Sequence, residues 1–177
     1  MKLRSRAYLP LLALPIAAVP AFVARAQTAP GTRYSDPSGF SIQVPAGFTR
    51  NTERAPAGSV LFMGKTANNY TPNILIQPGT SGTQNFDDVS QASDKGLMSD
   101  KAATILGRRT VKSGPGSPAM IWHVRRKATD TITVEQWQIL SFHNGKACII
   151  STSALIENTK TQGPLMEQVV NSFRWDK

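Results

Sequence analysis

Thr131-Ile132-Thr133-Val134-Glu135-Gln136-Trp137-Gln138-Ile139-Leu140-Ser141-Phe142-His143-Asn144-Gly145-Lys146-Ala147-Cys148-Ile149-Ile150-Ser151-Thr152-Ser153-Ala154 is the stretch from which the fold can be read. Two runs rich in β-branched and aromatic residues flank Asn144-Gly145, the pair best suited to a two-residue type I′ hairpin turn. Thr131 to His143 and Lys146 to Ala154 are therefore paired strands, and the turn sets their register. His143 faces Lys146, Ser141 faces Cys148, Ile139 faces Ile150 and Trp137 faces Thr152. One face then carries Trp137, Ile139, Cys148 and Ile150. The other carries Leu140, Phe142, Ala147 and Ile149. A sheet with one wet side would be apolar on one face only. Both faces are apolar here, so both are covered, most simply by helices. The expected fold is α+β: an antiparallel sheet between helices, a three-layer α/β/α sandwich.

The neighbouring sequence fits this plan. Ala119 to Lys127 is the preceding strand, joined through Ala128-Thr129-Asp130. Thr104 to Lys112 comes before it, ended by Gly114-Pro115-Gly116. Further upstream, Phe40 to Val44 alternates apolar and polar between turn-forming segments. Val60 to Met63 and Asn73 to Gln77 are short strands, separated by a polar loop containing Asn68-Asn69-Tyr70. A helix is expected from Phe86 to Ala102, with Asn85 as N-cap and Asp87 and Asp88 in the first turn. Gly96 inside it costs about 1 kcal/mol relative to Ala. A last helix is expected to open at Gly163-Pro164, with Leu165, Met166, Val169, Val170 and Phe173 as its buried stripe.

The first 26 residues read as a secretory signal. Lys2, Arg4 and Arg6 precede an apolar run from Leu9 to Val23, and Ala24-Arg25-Ala26 has the small-residue pattern of a cleavage site. The alternative is an uncleaved anchor. The run of about 15 residues falls short of the roughly 20 that span a bilayer, and it contains three prolines. Residues 27–33 form a polar lead-in, and 34–177 a single domain. The expected location is periplasmic or secreted. The whole chain has 20 basic and 11 acidic residues. Four of the basic ones lie in the first 26, so the remaining chain carries 20 − 4 − 11 = +5. That balance suits an envelope protein or an anionic surface as partner, and equally a solvated surface with none. Cys148, the one cysteine, lies in an apolar strand and reads as core.

Two segments carry a resemblance. Tyr34-Ser35-Asp36-Pro37-Ser38-Gly39-Phe40-Ser41-Ile42-Gln43-Val44-Pro45-Ala46-Gly47-Phe48 resembles the opening hairpin of the PsbP-like superfamily. That group takes in the extrinsic PsbP subunit of photosystem II and bacterial envelope proteins of the DcrB type. Pro164 to Arg174, with Val170-Asn171-Ser172-Phe173, is similar to the family's closing helix. The resemblance covers most of residues 33–175 and implies an α/β/α sandwich on an antiparallel sheet. It implies accessory or interaction roles and brings no shared active site or cofactor. The lipid-anchoring Cys of DcrB-type members is absent.

No motif for catalysis stands out. His123 and His143 have no second metal ligand at strand or helix spacing. There is no G-x-S-x-G elbow and no P-loop ending after Gly79 to Thr83. The densest charge is Arg108, Arg109 and Lys112 on one strand with Arg125, Arg126 and Lys127 on the next. These residues are candidates for a partner- or anion-binding surface, although alternation sends neighbours to opposite faces. The favoured reading of the same residues is plain solvated charge or protection of an edge strand. Nucleic acid is not an expected partner: the chain is expected to be exported, and the basic residues are not interleaved with exposed aromatics. Trp122 and Trp137 are expected to meet across the hairpin if its turn centres on Thr129-Asp130. Tyr70 is the best candidate for an exposed aromatic contact. The expected function is a non-catalytic envelope accessory protein acting by binding, with no cofactor. One alternative is a small-molecule carrier, which needs a closed apolar cavity of roughly 300 Å³ or more. Another is a hydrolase, which needs a nucleophile within about 3.2 Å of a base.

Overall fold

The computed structural model describes residues 31–114 and 116–176. Residues 1–26, read from the sequence as a secretory signal, and residues 27–30 of the expected lead-in lie outside the described residues. Among the described residues, ten strands form two sheets, and every pairing between them is antiparallel. The large sheet has the order β3-β4-β5-β9-β8-β7-β6. Its strands are β3 (Thr49–Arg50), β4 (Val60–Met63), β5 (Asn73–Thr80), β6 (Ala103–Lys112), β7 (Pro118–Lys127), β8 (Thr133–His143) and β9 (Lys146–Leu155). The small sheet is β1 (Thr32–Asp36), β2 (Phe40–Val44) and β10 (Arg174–Trp175), in the order β1-β2-β10. The helices are α1 (Phe86–Ser99) and α2 (Thr159–Ser172).

The β8–β9 hairpin has the register its turn dictates, with His143 opposite Lys146 and Trp137 opposite Thr152. Asn144 and Gly145 take φ of 47° and 75°, as a type I′ turn requires. Trp137, Ile139, Cys148 and Ile150 pack with Met166, Val169 and Val170 of α2. Phe40, Ile42, Val44 and Trp175 of the small sheet join the same core. On the opposite face, Leu140, Trp122 and Val124 pack with Leu97 of α1, and Phe86, Val89, Phe142 and Ile149 border them. The fold is thus α+β and mostly antiparallel sheet. Cover by helices alone is not what is observed, because a second sheet shares one face with α2.

Two helix limits differ from expectation. α1 stops at Ser99, because Asp100 turns the chain: its side chain accepts from Ala102 N at 2.8 Å and its carbonyl from Ala103 N at 2.9 Å. α2 begins at Thr159, after a 3₁₀ turn over Ile156–Asn158, so Pro164 lies inside the helix and does not open it. The polar stretch at its start has no apolar stripe to reveal it. Gly163 lets α2 approach the sheet: a Cβ there would lie 3.2 Å from the Trp137 ring.

Trp122 and Trp137 do not meet. Lys127 pairs with Thr133 across a five-residue loop, which places Trp122 opposite Gln138 and His123 opposite Trp137. That is one residue from the register of a turn centred on Thr129-Asp130, and one residue reverses every face.

Candidate binding groove beside the second helix

β6 is the long edge strand of the large sheet, with a bulge between Ile105 and Gly107. α2 contacts β8 and β9, leaving β7 and β6 beyond it on the same face. One cross-strand row there runs from Trp137 on β8 through His123 on β7 to Gly107 on β6. The His123 imidazole stacks on the Trp137 indole, with centroids 4.4 Å apart and planes 12° from parallel.

Glu135 fixes that imidazole. It lies two residues before Trp137, hence on the same face, and is only 4% exposed. Its carboxylate accepts from His123 Nε2 at 2.7 Å and from Arg125 Nη2 at 2.8 Å. Burial alone would push this carboxyl group up in pKa. The hydrogen bonds and charges of Arg125 and His123 outweigh burial and hold it below the ordinary value.

The next row pairs Ile121 with Arg109. The Arg109 guanidinium reaches from β6 to α2, donating to Glu167 at 3.1 Å and to Asn171 Oδ1 at 2.7 Å. Beneath this clasp lies an open groove of about 260 Å³, lined by Gly107, Arg108, Arg109, Ile121, His123, Trp137 and Glu167. Asn171 borders a second hollow of about 250 Å³, with Val111, Lys112, Ile139, Val170 and Phe173.

The six basic residues singled out from sequence do not make one patch. Arg109 reaches α2, and Arg125 lies on the same side of the sheet, paired with Glu135. Arg108 ion-pairs with Asp94 of α1, whose carboxylate also accepts from Trp122 Nε1 at 2.7 Å. Arg126 pairs with Asp100 at 3.0 Å and its side chain is 11% exposed, so it is a structural cation. Lys112 and Lys127 are exposed at strand ends. Tyr70 requires a correction: it is buried against Val134 and Leu155, and its hydroxyl donates to Ser153 Oγ at 2.5 Å. Asn68 and Asn69 both adopt positive φ, and reciprocal bonds between Ala67 and Tyr70 close a tight turn that folds the ring back inside. Sequence reasoning missed the His123–Glu135–Trp137 cluster together with Glu167 and Asn171. The signal was Glu135, a carboxylate inside an apolar strand, which demands a partner.

A hydroxyl does lie near an imidazole elsewhere. Ser117 Oγ is 2.7 Å from His143 Nδ1, and the His143 ring stacks on Trp175. Ser117 is 1% exposed, and His143 is half-buried. Cys148 is 1% exposed, and burial pushes its thiol pKa up. Among the described residues, no three or more His, Cys, Asp or Glu side chains are grouped to hold a metal ion. Among them, too, no helix is long and apolar enough to cross a membrane.

No family model matches the chain, and no curated protein does. Solved structures match over most of its length. The solution structure of cyanobacterial PsbP (CyanoP) from Synechocystis sp. PCC 6803 is 17% identical, covers 88% of this chain and 98% of its own, and gives a TM-score of 0.60. LpqN of Mycobacterium tuberculosis, described as involved in cell envelope biogenesis, is 18% identical over 83% of this chain and 91% of its own, with a TM-score of 0.58. PA94 from Pseudomonas aeruginosa, a protein of unknown function, is 10% identical over 79% and 93%, with a TM-score of 0.54. At these identities the likeness is one of fold, and the fold is PsbP-like, as the resemblance of the two end segments led us to expect.

Proposed function

We propose that this is an exported accessory protein of the cell envelope, working without catalysis by holding a partner in the groove between α2 and β6. The carrying observation is that one open groove combines a stacked aromatic pair with a guanidinium, and that each is already held in place. His123 is fixed by Glu135 and Trp137, and Arg109 by Glu167 and Asn171. Groups ordered before binding lose less freedom on association. Two further points support the reading: the signal-like first 26 residues, and a fold shared with a protein described as involved in envelope biogenesis. We also read the architecture as a three-layer sandwich in which the small sheet and α2 form one outer layer together. The carrier alternative is less favoured, because the groove is open and smaller than a typical ligand cavity.

The test is co-sedimentation with isolated envelope fraction. Replacing Arg109 and Lys112 together with Ala removes two exposed cations and no buried one. The variant should fold with an unchanged far-UV spectrum and sediment several-fold less at low salt. Unchanged sedimentation would overturn the proposal.

A further inference from the structure

Resting on that binding reading, we infer that the groove takes a planar aromatic ring carrying a carboxylate, seated over Gly107. The Trp137–His123–Gly107 row supplies the geometry. Trp137 is covered by α2 at Gly163 and stacked by His123. The His123 ring leans toward Trp137 because Glu135 and the stacking contact hold it there. The third position of the row bears no side chain, and a Cβ built on Gly107 would meet nothing within 4 Å. Opposed residues on antiparallel strands stand about 4.5–5.5 Å apart at Cβ. A ring lying on Gly107 therefore comes to stacking distance from the outer face of the imidazole, extending the pair to three layers.

The anionic substituent follows from Arg109. It is two residues beyond Gly107 on the same face, roughly 6.8 Å along the strand. Its Nη2 is committed to Glu167 and Asn171, which orients the fork. A guanidinium has five N–H donors, and carboxylate is the group its planar fork matches best. A carboxylate one or two carbons from the ring falls within its reach. The acids in and beside the groove are spoken for: Glu167, in its lining, by Arg109, and Glu135, buried beside it, by His123 and Arg125. The same chemistry is offered by a free aromatic acid or by a peptide ending in an aromatic residue.

The probes are indole-3-acetate, its neutral amide, and a short peptide ending in Trp as free acid or as amide. Binding is followed by calorimetry and by the NMR signals of the Trp137 indole N–H and the His123 ring. The acid or the free-acid peptide should bind and move both signals, and the pair of probes tells which source fits. Gly107→Val fills the floor of the slot and should weaken binding at least tenfold. Gly107 is not in the left-handed region and Val favours strands, so this variant should fold. Arg109→Gln should weaken the acid tenfold while barely changing the amide. Absence of binding by either acid at millimolar concentration would overturn the inference, as would binding that Gly107→Val leaves intact. Envelope sedimentation that persists while the acids fail to bind sinks this inference and spares the proposed function. Acid binding with sedimentation indifferent to Arg109 and Lys112 does the reverse.

Discussion

Glu135 shows how much one buried carboxylate arranges around itself. It aligns His123, steadies Arg125 and keeps the stacked pair in register. Because its folded pKa is depressed, the stability it contributes is present above the unfolded carboxylate value near 4.5 and is lost as pH falls through the lower folded value. Asp36 moves in the same direction: its own burial opposes ionisation, but hydrogen bonds from Tyr34 and Ser38 prevail. Urea midpoints should therefore drop below about pH 4.5, and Glu135→Gln should flatten part of that slope. At pH 7 the same change should cost about 1–3 kcal/mol, because Gln is uncharged and keeps one acceptor oxygen where Arg125 and His123 each use one of the two carboxylate oxygens. Tyr70 has the opposite sign. Burial pushes its phenol up to about 12, only partly relieved by Ser153, so its contribution holds below pH 10 and disappears as pH rises toward 12. Tyr70→Phe should widen alkaline stability, and equilibrium unfolding between pH 10 and 12 would measure it.

At the level of elements, each helix carries a glycine with a different consequence. Gly96 in α1 faces open space, so Gly96→Ala should stabilise the fold by about 0.5–1 kcal/mol, seen as a rise in Tm of a few degrees. Gly163 in α2 lies against Trp137, and Gly163→Val should cost about 1–3 kcal/mol through overpacking, read from urea unfolding. The same contrast explains what the sequence makes legible. Asn144-Gly145 imposes one backbone geometry, so the β8–β9 register and both core faces follow from local chemistry. The β7–β8 loop offers no such constraint. Its form rests on Thr129 Oγ1, which accepts from Thr131 N and Ile132 N, and on Ala128 N donating to Ile132 O. A one-residue difference there decided whether Trp137 would meet Trp122 or His123, and so hid the groove. Tyr70 was readable in principle, since two consecutive Asn residues are a turn signal of the same kind as Asn-Gly. The clasp of Arg109 to Glu167 and Asn171 was not, because it depends on how α2 crosses the sheet.

Across the whole molecule, the closing segment ties the two sheets together. β10 pairs with β2 in the small sheet, while Trp175 N donates to Ser113 O beside the end of β6. The Trp175 indole donates to Ser141 Oγ at 2.8 Å and packs on Phe40 and Phe173. Trp175→Ala should cost about 3–5 kcal/mol in denaturant unfolding. The loss should appear as a single transition, with both sheets melting together. At the middle of this assembly is Cys148, on the central strand of seven, sealed from water and facing α2. Its sulfur is out of reach of any alkylating reagent until β9 parts from its neighbours. The molecule thus carries its own tamper indicator: the speed at which that sulfur is trapped counts how often the heart of the sheet comes apart, with no label added.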